Sequence, residues 1–158
     1  MHLLVDGWNV IHSNQRMMKL FKEVSQDIAI EALYNALSPI HDADNIRVTL
    51  VFDGKGDTIE IVRKTRLTTY SEVYTPSSMS ADDFIEQYCS IHGQDCTVAT
   101  RDNLLALTVS SYGAQTVSPD YLFEWAASCA KRITRKSAEI SEKSKLKWKE
   151  SNPFRKLK

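Results

Sequence analysis

Asp6, Asp53 and Asp102 each follow a short run of apolar or β-branched residues, and the pair Asp82-Asp83 follows Ser80 at the start of an amphipathic stretch. In a parallel α/β sheet, ligands bind outside the carboxyl ends of the strands. Aspartates at three strand ends and one helix start would therefore meet at one sheet edge. Any one of them has an ordinary reading as a turn or cap residue, because acids complement free N–H groups and the helix dipole. Four sites converging are harder to read that way. Crowded carboxylates repel and raise one another's pKa unless a cation compensates. Mg²⁺ or Mn²⁺ is the natural cation, since hard ions take oxygen ligands and keep waters, whereas Zn²⁺ is usually held by His and Cys. An ion so held activates water and neutralises charge developing on a phosphate, which is the chemistry of phosphodiester hydrolysis.

The elements that must position these acids follow from pattern. Residues 2–6 read as a buried strand that delivers Asp6 into a loop, and residues 46–52 (IRVTLVF) as a second strand stopping at Asp53-Gly54. Between them, residues 25–38 carry Ile28, Leu33, Ala36 and Leu37 at helical spacing, with Ser25 as N-cap and Pro39 as the stop. Residues 70–75 (YSEVYT) alternate like a half-exposed strand. Ser80 is placed to cap a helix over 81–91, residues 96–100 form a short strand, and a helix over 103–111 precedes a strand near 114–117. Pro119 opens a last helix whose apolar face is Leu122, Trp125, Ala126, Cys129 and Ile133. Strands alternating with helices predict an α/β fold with a mainly parallel central sheet flanked by helices. Beyond residue 133 the apolar residues thin to Ile140, Leu146, Trp148 and Phe154, so a globular domain over 1–133 is followed by a helical, fraying extension over 134–158, with Pro153 ending regular structure.

The whole chain of 158 residues has a formal net charge of zero, but the charge is not evenly spread. Residues 1–130 hold nine basic and seventeen acidic side chains, a net of −8; residues 131–158 hold eleven basic and three acidic, a net of +8. An acidic body with a basic extension points to an anionic partner. No apolar run is long enough for a membrane span, and the N-terminal residues lack the charged and apolar regions of a secretory signal, so a cytoplasmic protein is expected. Cys89, Cys96 and Cys129 lack metal or disulfide spacing and read as reduced core thiols. His2, His12, His41 and His92 show no i, i+4 pair and read as surface or core residues. Gly54-Lys55-Gly56 is a flexible turn more readily than a phosphate cradle, and neither a P-loop nor a nucleophile elbow occurs. Trp8 reads as a packing residue, with base stacking as the alternative.

Four segments in order resemble the YacP-like NYN domains, a branch of the PIN-like nucleases: LLVDGWNVI (Leu3 to Ile11), VFDG (Val51 to Gly54), SADDFIE (Ser80 to Glu86) and VATRDN (Val98 to Asn103). The resemblance implies a three-layer PIN-like domain and a metal-dependent ribonuclease using Mg²⁺ or Mn²⁺. It assigns Asp6, Asp82 and Asp102 as metal ligands or their immediate support, with Asn9 orienting Asp6 or the substrate and Asp53 completing the pocket. Asp83 is paired with Asp82 in only some relatives. The position one turn beyond Asp102, often acidic in related nucleases, is Ala106 here. Arg101 would contact a phosphate. Some YacP-like members associate with ribosomes, which suits the basic extension.

The favoured reading is an endoribonuclease of single-stranded RNA, with Lys131, Arg132, Arg135, Lys136, Lys143, Lys145, Lys147 and Lys149 tracking the backbone. The competing one is a non-catalytic RNA- or ribosome-binding module that keeps the acidic pocket as inherited structure. A phosphohydrolase of the haloacid-dehalogenase type fits poorly, because Trp8 stands where its second Asp is needed. The sequence says nothing of oligomeric state, and the basic extension also reads as a solvated, solubilising end.

Overall fold

A computed structural model describes residues 1–151. The chain runs β1 (His2–Asp6), α1 (Gly7–Ser13), α2 (Gln15–Glu23), α3 (Gln26–Asp44), β2 (Arg47–Asp53), β3 (Glu60–Val62), β4 (Tyr70–Thr75), α4 (Ala81–His92), β5 (Cys96–Ala99), α5 (Asn103–Ser111), β6 (Gln115–Val117) and α6 (Pro119–Ser151), with a 3₁₀ turn at Gly93–Asp95. The six strands form one sheet in the order β3-β4-β2-β1-β5-β6, parallel throughout except for β3 against β4.

The alternation of side chains along each strand divides the interior into two layers. Leu3 and Val5 of β1 and Val48, Leu50 and Phe52 of β2 face one side, where they pack with α1, α2, α3 and α6 through Val10, Ile11, Met17, Leu33, Leu37 and Leu122. Leu4, Val51 and Val98 face the other, against Ala81, Ile85 and Cys89 of α4 and Leu105 and Val109 of α5. This is the expected three-layer α/β arrangement. From β1 the chain crosses to β2 on one flank, and later from β4 to β5 on the other. The carboxyl ends of β1 and β5 therefore border a topological switch point, where such sheets bind ligands.

The structure corrects several local expectations. Asp6 does not lead into a loop: it occupies the N-cap position of α1 directly, without a side-chain capping bond. Helices α1 and α2 and the short β3 have no counterpart in the sequence pattern. Pro39 does not stop α3, which continues to Asp44 and closes at Asn45 in the left-handed region (φ 52°). An interior proline costs about 3 kcal/mol. The last turn offsets it by burying Ile40 completely and by hydrogen bonds from His41 to Thr69 and from Trp125 and Arg132 to Asp44. Strand β4 is not half-exposed. It lies between β3 and β2, and Glu72 within it is only 2% exposed, paired with Lys64 at 3.0 Å and accepting from the Tyr74 hydroxyl at 2.8 Å. The three cysteines are free and buried, as expected. The expectation for Pro153 and Phe154 lies outside the described residues.

Gly7 shows why a glycine follows the strand-end acid. A Cβ there would stand 2.3 Å from the ring of Phe52, itself fully buried. Trp8 flanks the same ring at 5.3 Å and Tyr74 at 5.6 Å, so Phe52 has little room to yield. Gly7→Ala is expected to cost about 2–3 kcal/mol, the range of overpacked cores, read as a lower denaturant midpoint with unchanged slope.

Candidate active site

Each strand-end acid has a distinct local role, and those roles leave oxygens free on one edge. Asp6 is only 7% exposed and its Oδ2 accepts from the Thr100 hydroxyl at 3.1 Å. The same hydroxyl oxygen accepts from the Asp102 backbone N–H at 3.0 Å, so Thr100 ties the end of β1 to the start of α5. Asp102 caps α5, its Oδ1 accepting from the N–H groups of Leu104 (2.9 Å) and Leu105 (3.2 Å). Asp53 Oδ1 accepts from Ala81 N–H at 2.8 Å, anchoring the start of α4 to the end of β2. Ser80 and Asp83 form a reciprocal capping box at 3.0 Å each way. That occupies Asp83 in structure, while Asp82, next to it, makes no protein hydrogen bond of this kind.

The acids sense one another. Burial pushes the Asp6 carboxyl up to about 7; the neighbouring Asp82 adds to this, as do Asp53 and Asp102 to a smaller extent, and the Thr100 hydrogen bond opposes it. Burial also raises Asp82, followed by the charges of Asp102, Asp53, Glu86 and Asp83. The structure thus brings Asp6, Asp53, Asp82 and Asp102 to one edge, where their charges raise Asp6 and Asp82. In this conformation no three acidic, histidine or cysteine side chains among the described residues stand close enough together to hold an ion between them. The donor set nonetheless suits a hard divalent cation, because Asp6, Asp53 and Asp102 each keep one oxygen outside the hydrogen bonds above and Asp82 keeps both. Mg²⁺ is commonly held by one or two carboxylates with waters filling the remaining positions.

Asn9 does not hold Asp6. Its Oδ1 accepts from the Arg101 backbone N–H at 2.7 Å, fixing the β5–α5 turn that carries Asp102. The Arg101 guanidinium is exposed and loosely paired with Asp120 at 3.8 Å. Thr100 was missed as a site residue, although the VATRD segment contains it; its value comes from a partner 94 positions away. Thr100→Val keeps the shape and removes both bonds. It is expected to lower any metal-supported activity about tenfold, as loss of a ligand-orienting partner does, with unchanged activity counting against an orienting role.

Every residue of α6 from 134 to 151 is exposed. Arg132 is exposed but donates to Asp44 at 2.8 Å, linking α6 to α3. Lys131, Arg135, Lys136, Lys143, Lys145, Lys147 and Lys149 are exposed. The span from Lys131 to Lys149 covers about 27 Å at helical rise. No helix among the described residues is long and apolar enough to cross a membrane.

Residues 3–157 match the family model of the YacP-like NYN domain. The chain belongs to that family. No curated protein matches it. Among solved structures, this NYN domain is similar to Rae1 (YacP) from Bacillus subtilis, with 23% identity, a TM-score of 0.72, and coverage of 94% of this chain and 86% of that one. The W164L mutant of the same protein gives 24% identity and a TM-score of 0.71, covering 89% of this chain and 84% of the other. At that identity the likeness establishes the shared fold. NYN domains are generally nuclease-like, and a divalent-metal dependence is general to them. The acidic edge of this NYN domain is where such chemistry would be placed.

Proposed function

We propose that this NYN domain is an endoribonuclease of single-stranded RNA, dependent on Mg²⁺ or Mn²⁺, with ribosome-associated messenger RNA as a substrate. The observation that carries the reading is the buried Asp6 at the switch point, raised by burial and by three nearby carboxylates, with no cation among the described residues acting to lower it. Asp6, Asp82 and Asp102 would hold the ion. Bound there, a divalent ion activates water and offsets phosphate charge. The chain's own residues do the rest: Thr100 fixes the Asp6 carboxylate, Asn9 fixes the turn bearing Asp102, and Asp53 secures the helix that presents Asp82. Arg101, within that turn, would contact a phosphate. The exposed lysines of α6 supply the attraction that an acidic body lacks, and the end of burial along α6 near residue 133 supports reading the rest of that helix as an extension of the domain.

A second reading, an RNA- or ribosome-binding module without turnover, is favoured by two observations: no three ligands are gathered at metal distance among the described residues, and Ala106 stands where related nucleases often carry an acid. Incubating the full-length protein with total RNA and ribosomes, in Mn²⁺ or in EDTA, and mapping new 5′ ends separates the two. Discrete ends that appear only with Mn²⁺ support the nuclease. Ribosome or RNA association with no new ends supports the binding module.

A further inference from the structure

Beside the acidic edge, on the side of Asp53, lies a cavity of about 240 Å³ that none of the assigned roles uses. Trp8, Ile30 and Tyr74 line it with apolar surface, and Asp27, Glu60 and Lys55 contribute to its polar rim. It is smaller than the roughly 300–1,000 Å³ of sites for drug-sized ligands, so it suits one ring system and not a whole nucleotide. Its rings are held: Trp8 meets Phe21 and Phe52 at 5.6 and 5.3 Å, and Tyr74 stacks on Phe52 at 5.6 Å with its hydroxyl committed to Glu72. The rim carries three carboxylates, Asp27, Asp53 and Glu60, against the one Lys55. That balance disfavours a phosphate and favours an uncharged group that donates hydrogen bonds.

We propose that this cavity takes a guanine base of the RNA strand, with Trp8 and Tyr74 as its walls and Asp27 and Glu60 as acceptors for the Watson–Crick edge. Single-stranded RNA is read by bases splayed onto aromatic side chains and hydrogen-bonded along that edge. A carboxylate only accepts. Guanine sets two adjacent donors, N1–H and the N2 amino group, against it. Adenine and cytosine set one amino group beside a ring nitrogen acceptor, and uracil sets one N–H between two carbonyls. Asp27 and Glu60 come from different elements, α3 and β3, yet both charges bear on the Tyr74 hydroxyl, after burial and Glu72, in holding it un-ionised. Both line the cavity together with Tyr74. Asp53 belongs to both cavity and acidic edge, so a guanine held here lays the adjoining backbone beside Asp6 and Asp82.

The inference rests on the RNA reading above, and its test needs no turnover. The full-length protein in EDTA is titrated with guanosine, adenosine, cytidine and uridine 5′-monophosphates, following the Trp8 indole N–H by NMR. Guanosine monophosphate is expected to shift that signal saturably and to bind about tenfold more tightly than the other three, a low estimate for one bidentate base contact. The exposed double substitution Asp27→Asn with Glu60→Gln is expected to erase the preference while leaving the spectrum folded. Equal response to all four nucleotides, no saturable shift by any, or a preference that survives the double substitution would each overturn the assignment. Guanosine binding with no RNA cleavage in Mn²⁺ would leave the pocket standing and remove the nuclease reading alone.

Discussion

Asp6→Asn is expected to raise stability and abolish activity in the same molecule. In the ion-free protein, Asp6 titrates near 7 when folded, well above the ordinary carboxylate value of 3.8. A group whose folded pKa is raised stabilises the protein below its unfolded pKa, and that stability is lost as pH rises through the folded value. Wild-type stability is therefore expected to fall between about pH 4 and pH 7, by on the order of 4 kcal/mol from this residue. Asparagine keeps an acceptor for Thr100 and carries no charge, so the variant should be flatter across that window and more stable above it. Below pH 4 the two should coincide. Cleavage, by contrast, should drop about a hundredfold or more, because a ligand oxygen and its charge are gone. Denaturant titrations in EDTA from pH 4 to pH 8 check the first half. A variant less stable than wild type at pH 7.5 would mean that Asp6 is held by compensating charge and not crowded by like charge.

The second large effect concerns α6. If about six phosphates of single-stranded RNA are neutralised, log affinity should fall with log salt at a slope near −4. Replacing Lys143, Lys145, Lys147 and Lys149 together with Gln is expected to flatten that slope by about 3 and to weaken binding at least about tenfold near physiological salt. These side chains are exposed and the helix carries no burial there, so folding should be unaffected. An unchanged slope would make the extension a solvated end and place the RNA path elsewhere.

The acidic edge was legible because strand ends can be read from apolar runs that stop at Asp, and the parallel sheet makes such ends coincide. Asp6, Asp53 and Asp102 sit where that logic puts them, and Ser80 caps α4 as its sequence requires. What escaped depends on contacts far apart in the chain. Helix α3 passes Pro39 because Asp44 and His41 find partners on α6 and near β4. The resemblance has Asn9 orienting Asp6 or the substrate, but its acceptor serves Arg101, 92 positions on. Arg132 reads as one more cation of the tail, and its pairing with Asp44 across to α3 is not visible in the pattern. Glu72 has the alternation of an exposed position, yet it is buried and paired with a Lys64 that no periodicity would select. Strand β3 has only three residues, too few to show a period. The cavity at Trp8 is assembled from α1, α3, the turn after β2, and strands β3 and β4, so no single segment announces it.

The most direct measurement is single-turnover cleavage of an end-labelled single-stranded RNA by wild-type and Asp82→Asn protein in Mn²⁺, with binding measured in parallel. Asp82 makes no capping bond, so its loss should spare the fold. The expected result is cleavage by wild type that EDTA abolishes, and cleavage by Asp82→Asn reduced about a hundredfold or more with RNA binding retained. Equal cleavage by the two proteins, or none by wild type while it binds RNA, would contradict a metal-dependent nuclease built on this acidic edge.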